Sequence, residues 1–251
     1  MISYSVDGPV ATALLDRPDK LNAMPRAFWG ELTATLDRAA ADPEVRVVIF
    51  RGEGRGFSVG GDIEGFGELG DTSDRRAYVA EALGALRAVE RFPKPTIAAV
   101  HGHALGGGCE LTIVCDIVVA DATARFGTPE SGVGLVPGLG LARGLAQLNL
   151  HALKYMIFTG ETLDAEEAKA AGLVNVVAPA GEHVAEAERL ASLISKRAPL
   201  ALSVGKALLN EAAIEDYAHA TDAIALLQGS ADAAEGIAAF EARREPNFEG
   251  R

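Results

Sequence analysis

Three successive glycines followed closely by a glutamate are the densest group of residues in this sequence that could do chemistry. They lie in the segment from Thr96 to Glu110, TIAAVHGHALGGGCE. Glycines let a ligand approach the backbone, and N–H groups in the first turn of a helix lack an internal acceptor and can donate to an anion. On a helix, Glu110 would share a face with the Gly107 N–H, at an axial rise of about 4.5 Å. The segment predicts an oxyanion hole beside a carboxylate base, although the same glycines could equally form a plain strand–helix junction with Glu110 in solvent.

Two further segments could complete such a site. The segment from Gly56 to Ile63, GFSVGGDI, follows a hydrophobic strand pattern, and its paired glycines, 60 and 61, could supply a second backbone N–H at a strand end. Glu130 follows Pro129 in an apolar stretch, where a carboxyl group with a raised pKa could act as an acid. Taken alone, Glu130 could also be an ordinary glutamate of an exposed loop.

Composition and charge exclude several other kinds of protein. Of the 251 residues, 49% are hydrophobic and 23% are charged, which suits a folded core and argues against a disordered chain. The net charge is -12 and the basic residues are not clustered, so we expect no nucleic-acid partner. The sequence contains no apolar run of about 18 residues, and we therefore expect no membrane span.

Cysteine and histidine usage predicts neither a metal site nor a disulfide. Cys109 and Cys115 lack the paired spacing of a zinc site, and the five histidines form no His-Glu-x-x-His motif. We expect two reduced, buried cysteines and no bound metal. The first residues lack the charged and apolar regions of a signal peptide, and we expect a cytoplasmic protein.

We assign no function to the other motifs associated with chemistry. Residues 65–70 match the G-x-G-x-x-G pattern of dinucleotide-binding folds, but residues 60–64 before them are not a hydrophobic strand, so we interpret the match as chance. Ser131 lies in no Gly-x-Ser-x-Gly pattern, and although residues 56–60 read Gly-Phe-Ser-Val-Gly around Ser58, we do not expect a Ser-His-Asp hydrolase.

The elements that must position these residues follow an α/β pattern. β-Branched and apolar runs alternate with stretches of helical spacing. The predicted strands are Val10 to Leu15, Val45 to Phe50, Thr96 to Val100 and Ile117 to Ala120, and the predicted helices run from Pro25 to about Ala41 and from Asp74 to Glu90. Continuous β-branched runs of this kind are typical of strands that are buried on both faces of a sheet.

The last third of the chain is mostly helical. From about Leu141 the strand patterns become rare, with the apolar run from Leu173 to Ala178 as the exception. Helices are predicted over residues 182–196, from Pro199 onward, over 212–227 and over 231–243. We therefore expect an α/β unit over residues 1–195 and a C-terminal helical region over 196–251.

Taken together, these segments resemble the crotonase superfamily, which is the enoyl-CoA hydratase and isomerase family. The resembling segments follow each other in order along nearly the whole chain. They are Asp16–Pro18 with Leu21–Ala23, Phe57–Ile63, Ile97–Val100 with Gly106–Glu110 and Cys115–Asp116, Phe126–Glu130, Gly134–Gly138, Thr159–Gly160, Ala165–Val174 and Phe240–Phe248.

The resemblance implies a spiral of ββα repeats, capped by C-terminal helices that assemble a homotrimer or a homohexamer, and an acyl-CoA substrate. It implies that the backbone N–H groups of Gly61 and Gly107 hold the thioester oxygen, and that Glu110 and Glu130 are the two catalytic carboxyl groups of a hydratase. Each oxyanion donor is typically worth about 3 kcal/mol. Since CoA is part of the substrate, no separate cofactor is expected.

The resemblance also implies where CoA binds. The residues it assigns to the CoA site are Lys20, Ala23, Val59, Gly61, Asp62, Ile63 and Gly107, with Phe240 and Arg243 reaching the CoA of a neighbouring subunit. Lys20 and Arg243 could equally be solvated charges. The segment from Leu139 to Gly144 departs from the family pattern, which leaves the acyl preference open.

Retention of both glutamates favours syn hydration of a trans-2-enoyl-CoA. The alternatives within the family are a Δ3-Δ2 enoyl-CoA isomerase, which needs one glutamate, and a specialised acyl-CoA dehydratase, which needs both. A non-catalytic acyl-CoA binder would need the glycines without both acids, and Glu110 and Glu130 argue against it.

Overall fold

Two β-sheets organise the chain in its computed structural model, which describes residues 1–62, 71–138, 144, 147–211 and 230–251, with the backbone alone at 211, 237, 240 and 241. The larger sheet contains, in spatial order, β1 (Ile2–Asp7), β2 (Val10–Leu15), β3 (Val47–Gly52), β4 (Thr96–Val100), β6 (Ile117–Asp121) and β9 (Val176–Ala178). The smaller sheet contains β5 (His103–Leu105), β7 (Arg125–Gly127) and β8 (Leu163–Asp164). The β1–β2 and β7–β8 pairs are antiparallel, and the other described pairs are parallel.

Helices cover both faces of the larger sheet. The described helices are α1 (Arg26–Ala41), α2 (Thr72–Glu90), α3 (Gly107–Val114), α4 (Leu150–Thr159), α5 (Ala165–Ala170), α6 (His183–Ser195), α7 (Pro199–Glu211) and α8 (Ala231–Ala242), with 3₁₀ turns at Pro18–Lys20 and Pro129–Val133. The expected α/β class is confirmed. In the described part of the chain, no helix is long and apolar enough to cross a membrane.

A unit of two strands and a helical segment is repeated in the middle of the chain. β4 pairs in parallel with β6 in the larger sheet, and β5, which follows β4, pairs in parallel with β7, which follows β6. A helical segment comes next each time, α3 after β5 and the second 3₁₀ turn after β7. Successive units therefore lie side by side, which is the arrangement of a ββα spiral.

The core lies on both faces of the larger sheet because β3 and β4 are buried throughout their apolar residues. Successive side chains of a strand point to opposite faces. Val47 and Ile49 accordingly pack with Ala187 and Ala191 of α6. Val48 belongs to the opposite cluster, which α1, α2 and α3 cover. The continuous apolar run of β3 thus has the pattern expected for a strand between two helical layers.

Several predicted boundaries were wrong by a few residues. β9 begins at Val176 rather than at Leu173 because the N–H groups of Leu173 and Val174 donate to Ala168 and close the end of α5. β3 begins at Val47 rather than at Val45, and the sequence analysis did not predict β1 or the short strands of the smaller sheet. The predicted helix over 212–227 lies outside the described residues.

Candidate active site

The loop after β3 and the turn before α3 are held together in parallel. Ser58 forms a β-bridge with Ala104, in which the Ser58 N–H donates to His103 at 2.9 Å and the Leu105 N–H donates to Ser58 at 2.9 Å. Gly60 allows the next step of this approach. It has φ +85°, and an added Cβ would lie 2.6 Å from the Leu105 carbonyl oxygen and 2.7 Å from the Gly107 nitrogen. No side chain fits between the two backbones at this position.

A parallel β-bridge between Met24 and Gly61 leaves the Gly61 N–H pointing away from the segment of Met24. Met24 donates its N–H to Gly60 at 2.8 Å and accepts the N–H of Asp62 at 3.0 Å. In a parallel bridge of this kind, the residue between the two bonded neighbours turns its own N–H to the other side. Among the described residues, the Gly61 N–H has no acceptor.

The Gly107 N–H is the second donor at this place. The Gly106 N–H donates to Gly127 at 2.9 Å, and the Glu110 N–H makes the first helical bond to Gly106, also at 2.9 Å. Gly107 is the first residue of α3, so its N–H has no acceptor within the helix. The Gly61 nitrogen lies 3.7 Å from the position that a Cβ of Gly107 would occupy. The two N–H groups thus belong to backbone segments in van der Waals contact.

Both predicted glutamates lie beside this pair of glycines. Glu110 is buried in the first turn of α3. Glu130 lies in the second 3₁₀ turn, and its Oε1 is 3.1 Å from the position of a Cβ on Gly106. Its Oε2 is buried and has no hydrogen-bond partner in the described chain.

The environment of Glu130 changes its acidity. Burial raises the pKa of the Glu130 carboxyl group to about 7. A backbone hydrogen bond acts in the opposite direction, and the negative charge of Glu110 adds to the increase. A carboxyl group with this pKa holds a proton for a large part of the time at neutral pH. Burial also raises the pKa of the neighbouring Cys109 thiol to about 12. Cys109 and Cys115 are free and buried, as expected from the sequence.

The residues assigned to the CoA site fall into two groups. Val59 donates its N–H to Leu21 at 3.1 Å, which brings the segment from Lys20 to Ala23 against the loop of Gly61 and Asp62. Lys20 is exposed at the end of the first 3₁₀ turn. These residues and Gly107 are therefore close together.

Of the three other assigned residues, only Arg243 has a described side chain. Ile63 and the side chain of Phe240 lie outside the described residues, as does the segment 139–143. Arg243 is exposed directly after α8, and none of the contacts in the described chain joins it to the glycine turns. No group of three or more metal-ligating side chains is placed to hold an ion in the part of the chain that is described.

Two residues that support the site were assigned no role from the sequence. Asn22 is buried with φ +56°, and its side-chain amide donates to the carbonyls of Glu53, Gly56 and Phe57 at 2.9 to 3.1 Å. The indole ring of Trp29 lies 3.6 Å from the position of a Cβ on Gly107. An Asn next to a short 3₁₀ turn was a usable indication of left-handed backbone, whereas nothing in the sequence indicated the position of Trp29.

Comparisons with known proteins identify the family of this chain. The model of the family described as enoyl-CoA hydratase/isomerase matches residues 6–251. The 2,3-dehydroadipyl-CoA hydratase of Escherichia coli is 37% identical, over 94% of this chain and 94% of its own. The crotonyl-CoA hydratase of Syntrophomonas wolfei is 34% identical, over 95% and 94%.

A solved structure gives the same result for the fold. The enoyl-CoA hydratase of Mycobacterium smegmatis superposes with a TM-score of 0.93 at 30% identity, covering 98% of each chain. The chain belongs to the enoyl-CoA hydratase/isomerase family. The crotonase-type fold that the sequence motifs implied is thereby confirmed.

Proposed function

We propose that this chain is an enoyl-CoA hydratase that adds water reversibly to a trans-2-enoyl-CoA, with both new bonds formed on one face of the double bond. The observation that carries the proposal is the meeting of two carboxyl groups, those of Glu110 and Glu130, beside the N–H groups of Gly61 and Gly107. The relatives from Escherichia coli and Syntrophomonas wolfei, both named hydratases, support it.

The two N–H groups act on the thioester oxygen. When both donate to this oxygen, negative charge that develops there as the β-carbon is attacked is stabilised as an enolate. Preorganised donors of this kind do not need to reorient during the reaction, and each is typically worth about 3 kcal/mol. The close contact of the two glycine segments is the structural basis for this preorganisation.

The two glutamates divide the proton transfers. Glu110 takes one proton from water as the water oxygen forms a bond with the β-carbon, and the π electrons move to the thioester oxygen. Glu130 then gives its proton to the α-carbon as the enolate collapses. The raised pKa of Glu130, caused mainly by burial, supports its role as the acid. Proton exchange through solvent returns the proton from Glu110 to Glu130.

The active form of the enzyme holds one proton on the pair of glutamates. Hydration starts with the proton on Glu130, and dehydration starts with the proton on Glu110. These are two arrangements of the same charge state, so both directions require the same singly protonated pair. No oxidation or reduction of the substrate occurs, so the reaction calls for no redox cofactor.

The CoA moiety lies along the segments that meet at the Val59–Leu21 hydrogen bond. The backbone of Ala23, Val59, Gly61, Asp62 and Ile63 contacts the adenine and pantetheine groups. Lys20, exposed at the edge of these segments, pairs with a phosphate group. Phe240 and Arg243 act on the CoA of a neighbouring subunit.

That role for Phe240 and Arg243 requires an oligomer, and we place the enzyme in the cytoplasm as a homotrimer or homohexamer. Large apolar side chains near the site support association. Tyr155 and Phe158 of α4 are exposed, as is Val133 of the adjoining 3₁₀ turn. Sedimentation of the purified protein tests this part, since a monomer would contradict it.

The experiment that tests the function is incubation with crotonyl-CoA, followed by loss of the conjugated thioester absorbance and by identification of the product. Formation of 3-hydroxybutyryl-CoA is the expected result. The matched control is a 3-enoyl-CoA, whose rapid conversion to the 2-enoyl isomer without hydration would show an isomerase instead. No reaction with bound crotonyl-CoA would favour a specialised acyl group.

A further inference from the structure

The guanidinium group of Arg17 connects the two segments that flank the proposed oxyanion hole. Its Nη1 donates to the Ala23 carbonyl at 2.9 Å and to the Asp62 carboxylate at 2.8 Å. The Asp62 side chain is 12% exposed and that of Arg17 is 30% exposed, so the pair is largely shielded from water. Ion pairs between shielded groups in fixed geometry are stronger than those at the surface.

The N–H direction of Gly61 depends on this connection. The carbonyl of Gly60 and the N–H of Gly61 belong to one planar peptide unit and point in opposite directions. Met24 holds that carbonyl at 2.8 Å, and the Asp62 N–H holds the Met24 carbonyl at 3.0 Å. Paired glycines have little conformational preference of their own, so contacts outside the pair must fix this peptide plane.

We propose that Arg17 is a positioning residue that fixes the Gly61 N–H through Ala23 and Asp62, and that the Asp62 carboxylate serves this connection rather than a contact with CoA. The proposal rests on the proposed function, in which the Gly61 N–H binds the thioester oxygen. Charge supports it as well. An unpaired carboxylate beside the groove would repel the phosphate groups of CoA, whereas the Arg17 guanidinium neutralises it.

The backbone of Arg17 is itself held in place. Its N–H donates to the Asn22 side-chain oxygen at 2.8 Å, and the amide group of Asn22 holds the loop that follows β3. The side chain of Arg17 therefore begins from a fixed backbone position and spans to a second fixed segment. This is the condition under which a supporting residue transmits geometry to a site.

The test compares Arg17→Met with the matched control Arg189→Met, which removes an exposed arginine paired with Glu186 on α6. Three quantities are measured: kcat with crotonyl-CoA, the Kd of butyryl-CoA, and the enolate absorbance of bound acetoacetyl-CoA. We expect Arg17→Met to lower kcat about 10- to 100-fold and to weaken the enolate band, with the Kd of butyryl-CoA changed less than about threefold. Arg189→Met is expected to match the wild type in all three.

Two further variants separate positioning from folding and from direct binding. Arg17→Lys keeps the charge and should recover part of both kcat and the enolate band. Asp62→Asn should behave like Arg17→Met, and the double variant should be little worse than either, since the two residues act as a unit.

Three outcomes would overturn the proposal. The first is a folded Arg17→Met enzyme with wild-type kcat and enolate band. The second is an Asp62→Asn enzyme that loses affinity for butyryl-CoA while its kcat is unchanged. This result would show that Asp62 contacts CoA directly. The third is a wild-type protein that neither hydrates crotonyl-CoA nor binds the enolate, which would remove the proposed function along with the proposal. A wild type that binds the enolate without hydrating crotonyl-CoA would contradict only the hydratase function, and the enolate band would still test Arg17.

Discussion

Glu130 combines a half-buried carboxyl group with a neighbouring negative charge, and both effects raise its pKa. Its Oε2 has no partner in the described chain, and burial raises the pKa to about 7. Catalytic acids are most efficient when their pKa lies near the working pH. The value is therefore suited to proton transfer at neutral pH.

The first prediction concerns the pH dependence of the reaction. The kcat/KM for hydration should fall as pH rises through about 7, because the glutamate pair then loses its single proton. The same fall is expected for dehydration of 3-hydroxybutyryl-CoA. Initial rates in both directions between pH 5.5 and pH 9, at about half-unit intervals, measure it. A rate that is constant across this range would contradict a shared proton.

The second prediction concerns stability. A carboxyl group whose pKa is higher in the folded than in the unfolded protein destabilises the fold above its unfolded pKa of 4.5, and the full cost is reached above about 7. Glu130→Gln should therefore raise the Tm at pH 8 by about 2–4 °C, which corresponds to about 1 kcal/mol in a chain of this size, and change it less at pH 5. Thermal unfolding followed by circular dichroism tests this, and a lower Tm at pH 8 would contradict it.

At the residue scale, the sequence identified groups that carry their own chemistry and missed those that act through geometry. Glu110 and Glu130 are visible because each carboxyl group stands in an unusual setting of glycine or proline. Arg17 has an ordinary sequence context, and its partner Asp62 is 45 residues away. Such a contact cannot be read from spacing along the chain.

The elements around the site depend on backbones that approach more closely than any side chain allows. Gly60 and Gly108 lie on opposite sides of the same approach, and a Cβ at either would collide with backbone atoms of the other segment. These positions therefore require glycine because there is no room for a Cβ, and Gly60 requires it also because of its positive φ.

The third prediction follows from this approach. Gly60→Ala should lower the Tm and reduce kcat by about 100-fold or more, because the loop of Gly61 must move away from α3. Gly84→Ala on α2 is the control, since nothing lies within 4 Å of an added Cβ there. Replacing glycine within a helix should stabilise the protein by about 1 kcal/mol. A Gly60→Ala enzyme with wild-type kcat would contradict the assignment of this loop.

A second cluster of titratable groups lies at the start of α6, apart from the glutamates. The rings of His183 and His101 stack at 4.7 Å, and the Nδ1 of His183 lies 3.3 Å from the Asp121 carboxylate. Burial lowers the pKa of His183, and the charges of His101 and Arg51 lower it further, against the opposite effect of Asp121.

The fourth prediction concerns acid stability. Because the folded pKa of His183 lies below its ordinary value of 6.5, the unfolded chain binds more protons, and the free energy of unfolding should fall as pH drops below 6.5. His183→Leu should show a smaller fall in the free energy of unfolding between pH 7.5 and pH 5.5. Urea unfolding at the two pH values measures the free energy of unfolding of both proteins. An equal fall for the wild type and the variant would contradict the prediction.

At the element scale, long elements could be predicted and short ones could not. The helix that starts after Pro25 has clear helical spacing, the strand from Thr96 to Val100 is a continuous apolar run, and both are confirmed. β5 and β7 contain three residues each, which is too short for a periodic pattern. Their pairing depends on neighbours that are distant in sequence, so composition alone does not reveal them.

At the scale of the whole molecule, a buried cation joins helix α7 to the preceding part of the chain. The Nζ of Lys206 on α7 lies 2.7 Å from the Asp116 carboxylate and also donates to the carbonyls of Val89 and Lys94. Its side chain is 7% exposed. A buried ammonium group with three acceptors fixes α7 against the end of α2 and the start of β6.

The fifth prediction tests this junction. Lys206→Met should lower the free energy of unfolding by about 1–3 kcal/mol, because three acceptors lose a buried charged donor while Asp116 keeps its hydrogen bonds from Thr96. Lys196→Met is the control, since Lys196 forms an exposed pair with Glu245 at 3.5 Å and should change stability by less than about 1 kcal/mol. Chemical unfolding measures both, and equal effects of the two substitutions would contradict the assignment.

At the scale of the whole molecule, the repeat of strand, strand and helix is visible in the structure and hidden in the sequence. β4 with β5 and β6 with β7 have equivalent positions in the two sheets, yet their sequences, TIAAV with HAL and IVVAD with RFG, show no obvious repeat. Packing requires apolar side chains of suitable size rather than particular ones, so the repeat leaves little trace in the residues. The fold could be predicted from the motifs that resemble a known family, and not from internal periodicity.

The most direct test of the central claim is the hydration rate of crotonyl-CoA for the wild type, Glu110→Gln, Glu130→Gln and the double variant. Each single substitution should lower kcat at least about 100-fold, and the double variant should be only slightly slower, because the two carboxyl groups act as a unit. Unchanged Kd values for butyryl-CoA would locate the loss in catalysis. A single variant that retains the wild-type kcat would contradict the assignment of two glutamates to the reaction.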